Sequence, residues 1–173
     1  TVPEDGLLAY ATADGRIQTA RPDGSAAKTI SPDGGFYSWP GWSPDGRYVV
    51  FSGTSPGGNG PRPLALYLYD LEEERRRVLY FNDPGMGPIL PTMPHYPLWA
   101  PDGQRLSFMA SAPLGLSLFI SNVGSGDAPQ VVLRNSPLYA SWSADSRRML
   151  VHAGFDHVLV DVDGGIAARA LDT

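Results

Sequence analysis

The run Gly41-Trp42-Ser43-Pro44-Asp45-Gly46-Arg47-Tyr48-Val49-Val50-Phe51 is written three times in this chain. It returns at Leu98-Trp99-Ala100-Pro101-Asp102-Gly103-Gln104-Arg105-Leu106-Ser107-Phe108, and more loosely at Ser141-Trp142-Ser143-Ala144-Asp145-Ser146-Arg147-Arg148-Met149-Leu150-Val151. Each copy reads as a strand closing on Trp, a tight turn, and a strand of β-branched and aromatic residues. Pro44 presets φ for the first turn position and Gly46 accepts the positive φ that follows. The third copy has Ser146 in the glycine place, which predicts a looser turn. An aromatic stands three residues before the Trp of each copy: Trp39, Tyr96 and Tyr139. A repeat of this kind constrains the fold more than any single composition figure.

The spacing gives the unit. Trp142 follows Trp99 by 43 residues, a period of about 40–45 that suits four strands. Trp99 follows Trp42 by 57, so 14 extra residues fall in the second unit. The expected fold is all-β, a propeller of four-stranded antiparallel blades over residues 1–173, in approximate blades 1–31, 32–81, 95–134 and 138–173, with an inserted loop 82–94. In the plan that the family resemblance given below implies, the Trp-bearing strand of a blade is innermost (A), followed outward by B, C and D. The first blade starts at strand B, Leu7–Thr12, continues through Arg16–Arg21 and Ala26–Ile30, and lacks its inner strand. The second has Tyr37–Trp42, Tyr48–Gly53, Leu64–Leu71 and Arg76–Phe81. The third has Tyr96–Trp99, Arg105–Ser111, Leu116–Asn122 and Gln130–Arg134; the fourth has Tyr139–Trp142, Arg148–Ala153, His157–Val162 and Ala167–Leu171. Three inner strands against four outer sets read as a segment or half of a larger ring. Thr1 is not an initiator Met, so a processed or excised chain is expected.

Composition supports tight turns in place of disorder. The chain holds 20 Gly and 17 Pro in 173 residues, both spread over turn positions. The hydrophobic share of 42% is enough for a core. With no Cys there are no disulfides and no thiolate metal sites. The net charge of −5 argues against a nucleic-acid surface. No run of 18 apolar residues exists, so direct membrane insertion is not expected.

W-[SA]-[PA]-D-[GS], followed by an R-x-apolar-x-apolar strand, resembles the repeat of TolB-type β-propellers, relatives of the WD-repeat propellers. The resemblance covers nearly the whole chain. It implies a propeller and says little about activity, since such propellers serve as binding platforms, protease gating domains and periplasmic assembly factors. It also favours an extracytoplasmic location over others, the compartment being otherwise open.

The 14 extra residues lie in Thr54–Pro63, joining B to C, and Asn82–Pro94, joining D to the next A. Both connections emerge on the face opposite the Pro-Asp-Gly turns, where loops carry binding residues. The expected site for a peptide or protein is therefore this rim: Arg62 for an acidic group, Met93 and His95 from the longer loop, and Trp39, Tyr96 and Tyr139 beneath. The alternative is that the loops fill space and the aromatics pack around an axis. His152 and His157 flank Ala153-Gly154-Phe155-Asp156 and could approach one another; a metal site would need a third ligand such as His95, and no metal or other cofactor is expected. Glu72-Glu73-Glu74-Arg75-Arg76-Arg77 reads as a solvated hairpin with cross-strand charge pairs, a docking patch being the other reading. Asp45, Asp102 and Asp145 read as turn residues bonding nearby amides.

No G-x-S-x-G, H-E-x-x-H or P-loop occurs, and no catalytic residue is assigned. The leading expectation is a non-catalytic interaction module. Prolyl-oligopeptidase-like and tricorn-like enzymes carry similar repeats, so the propeller part of a larger hydrolase, gating or docking substrate, is the rival. A small-molecule or glycan sensor is the third reading. Open terminal blades also predict association with a second copy or with the rest of a parent polypeptide, giving Leu7–Thr12 an outside neighbour.

Overall fold

The computed structural model describes residues 6–54, 64–82, 95–112 and 115–171. Its first sheet is β1 (Leu8–Ala11), β2 (Ile17–Ala20) and β3 (Lys28–Thr29). The second is β4 (Tyr37–Trp42), β5 (Tyr48–Thr54), β6 (Leu64–Asp70) and β7 (Arg75–Asn82). The third is β8 (His95–Trp99), β9 (Arg105–Ala112), β10 (Gly115–Asn122) and β11 (Gln130–Arg134). The fourth is β12 (Leu138–Trp142), β13 (Arg148–Ala153), β14 (Asp156–Asp161) and β15 (Ala167–Leu171). Within each sheet neighbours in sequence are neighbours in space, all antiparallel. The expected strands are found nearly residue for residue. The widest difference is β3, which holds two residues because Ala26 takes a left-handed φ of 54° and delays the ladder.

Alternation on each strand builds three cores between four sheets. Ile17 and Ile30 meet Val49, Phe51, Ala65 and Tyr67 of the second sheet. Its opposite face, with Val50, Leu66 and Leu68, meets Leu106, Phe108 and Phe119. Met109, Leu118 and Ile120 then meet Met149, Val151 and Val160. Every one of these strands in the middle two sheets is apolar on both faces, which is why β6 is buried along its whole length. Tyr37 fills the first core completely, edge-on to Phe51 and Tyr67. It fits because Gly53 lies opposite it on β5; a Cβ there would stand 2.0 Å from the Tyr37 ring.

The Pro-Asp-Gly turns share one geometry. Asp45 and Asp102 accept from the backbone N–H of Arg47 and Gln104 at 3.0 and 2.9 Å, as expected. The looser third turn is not found. Ser146 adopts φ 61°, against 72° for Gly46 and 71° for Gly103, and its N–H closes the same turn on Ser143. Its side chain is buried, and its Oγ accepts from the Asp102 N–H of the preceding blade at 2.8 Å. That bond offsets the left-handed backbone, which costs a non-glycine residue about 1–2 kcal/mol.

The Glu-Arg run is more integrated than a solvated hairpin with internal pairs. Glu72 and Glu73 face Arg47, which also holds Asp70 through two nitrogens, and Glu74 meets Lys28 of the first sheet. Arg76 donates to the Ile30 and Ser31 carbonyls, and Arg77 to the Val123 carbonyl. Adjacent residues of β7 thus tie the second sheet to both of its neighbours. At the ends the faces stay open: β1 pairs only with β2 among the described strands, leaving Leu8 45% exposed, and Leu150 of β13 is 46% exposed.

Candidate functional site

Two inner strands break their ladders at the same place. β4 is in register with β5 at Tyr37–Gly53 and Ser38–Ser52, then resumes at Gly41–Val50 with one residue to spare. β8 does the same between His95–Met109 and Leu98–Ser107. The bulged pairs are Trp39-Pro40 and Tyr96-Pro97. Proline brings no N–H to a ladder and is confined to edges and bulges. Trp39 (φ 58°) and Tyr96 (φ 51°) both take the left-handed conformation, the place in a bulge that glycine ordinarily fills. For side chains of this size such a φ is an outlier.

The bulges turn these rings towards each other. Trp39 and Tyr96 have ring centroids 4.6 Å apart at 39°, and the His95 ring lies 6.3 Å from Trp39 and 5.8 Å from Tyr96. Trp39 is 42% and Tyr96 48% exposed. Aromatics gain most of their energy from burial, so a solvent-facing pair held by two strained bulges is not explained by packing alone. The third expected aromatic stands apart: β12 pairs with β13 without a shift, and Ala140 follows Tyr139 in place of proline. Tyr139 stacks on His152 at 6.0 Å, and His152 on His157 at 5.2 Å. The two histidines do approach, directly opposite one another in the hairpin. No group of three metal-ligating side chains occurs among the described residues.

Two further aromatics share the rim. Phe36, just before β4, is exposed, and Phe155 is fully exposed at the β13–β14 turn. Strand direction places Phe36, Trp39, His95, Tyr96, Tyr139 and Phe155 at the end where β5 leads to β6 and β13 to β14. The signal for Phe155 was its place in a two-residue turn between paired Ala153 and Asp156, where no core is within reach. Arg62 and Met93 lie outside the described residues.

The opposite rim is charged and internally satisfied. A cleft of about 250 Å³ there is lined by Arg47, Tyr48, Leu68, Asp70, Glu73 and Arg75 to Arg77. Hydrogen bonding from Arg47 holds the Asp70 carboxyl below the usual range, and raises the guanidinium in turn. The Ser43 and Ser143 hydroxyls likewise lower Asp45 and Asp145. These carboxylates fix turns and offer no free acid or base.

Radially packed four-stranded sheets with Trp-closed inner strands define a segment of a β-propeller. No protein-family model and no curated protein matches the chain. Among solved structures it is similar to TolB from Acinetobacter baumannii, at 19% identity and a TM-score of 0.62 over 96% of this chain and 41% of that one. It is similar to a puromycin hydrolase mutant complexed with PGG, at 18% identity and a TM-score of 0.71 over 100% of this chain and 30% of that one. A third is an oligogalacturonate lyase in complex with manganese, at 18% identity and a TM-score of 0.59 over 96% and 42%. The fold is therefore TolB-like, a partial propeller of four blades, the first with three strands. The chain spans less than half the length of each of these three structures.

Proposed function

We propose that this chain is a propeller interaction module that takes a peptide or protein segment on the rim carrying Trp39, His95 and Tyr96. The observation that carries this is the pair of aromatic-Pro bulges. Left-handed backbone at bulky residues persists only where its surroundings enforce it, and such strain gathers at binding sites. Exposed, rigid aromatics supply contact area at low entropic cost. Phe36, Tyr139 and Phe155 extend the apolar rim, and Arg62 with Met93 are proposed to complete it, Arg62 meeting an acidic group.

The test is selection from a random peptide library displayed on phage, followed by binding to variants. Selected peptides are expected to lose about tenfold or more in affinity with Trp39→Ala or Tyr96→Ala, as for residues central to an interface. Peptides that bind the Pro-Asp-Gly rim, indifferent to these substitutions, would overturn the reading. A second reading rests on the likeness to puromycin hydrolase: the same rim would then admit or orient substrate for a hydrolase elsewhere. In that case hydrolase-substrate analogues, and not library peptides, compete for Trp39 and Tyr96.

A further inference from the structure

Among the described strands, β4 and β8 stand at the edges of their sheets, paired on one side only, with β5 and β9. An edge of this kind invites an extended peptide to add as one more strand through its unpaired N–H and C=O groups. Both edges are closed to that mode at the aromatic-Pro bulges. Pro40 and Pro97 have no N–H to give, and the left-handed backbone at Trp39 and Tyr96 twists the edge away from a regular ladder. A peptide arriving at this rim therefore meets side chains in place of a ladder.

Those side chains offer ring faces and donors. Trp99 and Trp142 give their indole N–H to the Gly41 and Leu98 carbonyls. Trp39 and Tyr96 make ring contacts, and among the described residues no partner takes the Trp39 indole N–H or the Tyr96 hydroxyl, both on half-exposed side chains. His95 adds an imidazole, and the three together bring no carboxylate. The two bulges are also held in place against each other. Gly41, two residues after Trp39, admits the Pro97 carbonyl, which would stand 3.6 Å from a Cβ at that position, and its own carbonyl accepts from Trp99 Nε1 at 3.4 Å. A platform fixed in this way loses little freedom on binding.

We propose, resting on the reading of this rim as a peptide site, that its ligand is a proline-rich segment in the polyproline II conformation. Such a segment has no internal hydrogen bonds, and its tertiary amides carry acceptors and no donors. Its carbonyls match the Trp39 N–H and the Tyr96 hydroxyl, and its pyrrolidine rings lie on the two aromatic faces. The chain is ordered before it binds, so its own entropic cost is small. A β-strand ligand would bring N–H groups for which the bulged edges supply no ladder. A glycan's many hydroxyls donate and call for carboxylate or amide acceptors, and the three side chains bring neither group.

The probe is acetylated, amidated decaproline, titrated into the whole isotope-labelled chain. Shifts are expected at the Trp39 indole N–H and at the backbone amides of Ser38, Trp39 and Tyr96. Tyr96→Phe keeps the ring and removes the hydroxyl, and should weaken affinity about twofold to tenfold, the worth of one hydrogen bond. Trp39→Ala should weaken it about tenfold or more. No shifts at about 1 mM decaproline, the weakest specific range, or wild-type affinity in either variant, would overturn the proposal. Binding of cellohexaose at these residues without binding of decaproline would overturn it in favour of a glycan. If proline-free library peptides bind through Trp39 and Tyr96 while decaproline does not, the proline class fails and the peptide reading of the rim stands. If neither kind of peptide depends on these two residues, both fail together.

Discussion

Replacing Trp39 separates the ring from the backbone that holds it. Trp39→Ala removes the contact with Tyr96, 4.6 Å between centroids, a pair worth about 0.5–1.5 kcal/mol beyond its burial. It leaves an L-residue at φ 58°, so the cost of left-handed backbone, about 1–2 kcal/mol, remains. Trp39→Gly loses the same ring but removes that cost, against about 0.5–1 kcal/mol of added chain entropy in the unfolded state. Glycine should therefore be more stable than alanine here by about 0.5–1 kcal/mol, or about 2–4 °C per kcal/mol in Tm for a chain of this size. In a regular ladder the order reverses, and Tyr139, on the unshifted β12, provides the control. Urea midpoints of the four variants decide it, with both Trp39 variants equally deficient in peptide binding. If Trp39→Gly is the less stable of its pair, the bulge is not strained and the link from strain to site fails.

Three other outcomes follow from the geometry. Gly53→Ala should cost about 1–3 kcal/mol by overpacking, because Tyr37 is fully buried and its ring cannot leave the added methyl; a urea midpoint unchanged from wild type would refute this. Ser146→Ala should cost about 1–3 kcal/mol by leaving the Asp102 N–H unpaired, while Ser146→Gly recovers part of it by relaxing φ; equal stabilities would show the turn unstrained. Asp45, Asp70 and Asp145 are all lowered below the ordinary carboxylate value, so their stabilisation is present above the unfolded pKa of about 3.9 and is lost as pH falls through and below it. Urea midpoints from pH 6 to pH 3 should drop, less so in Asp70→Asn; a flat wild-type profile would contradict the assignment.

Strand order and most boundaries were legible because the repeat fixes the period and each Trp fixes the phase. Trp39 and Tyr96 were legible as positions, yet not their conformation: the sign was the proline after each, absent after Tyr139, which only the paired strand turns into a one-residue bulge. Ser146 shows the converse. A residue type that argues for a loose turn keeps the tight one because a neighbouring blade supplies an N–H for its hydroxyl. The targets of Arg76 and Arg77 were invisible for the same reason, since backbone carbonyls of other blades carry no sequence signature.

The antiparallel ladders join strands that follow one another in the chain. Closing each hairpin therefore confines short stretches of polypeptide, and the long-range step is left to docking one finished sheet on the next. Assembly can track synthesis: the second sheet is complete once Asn82 has emerged, with Arg76 already able to clasp the Ile30 and Ser31 carbonyls behind it while Arg77 waits for Val123. The direction of translation then becomes the direction of growth, with each blade serving as the template on which its successor settles.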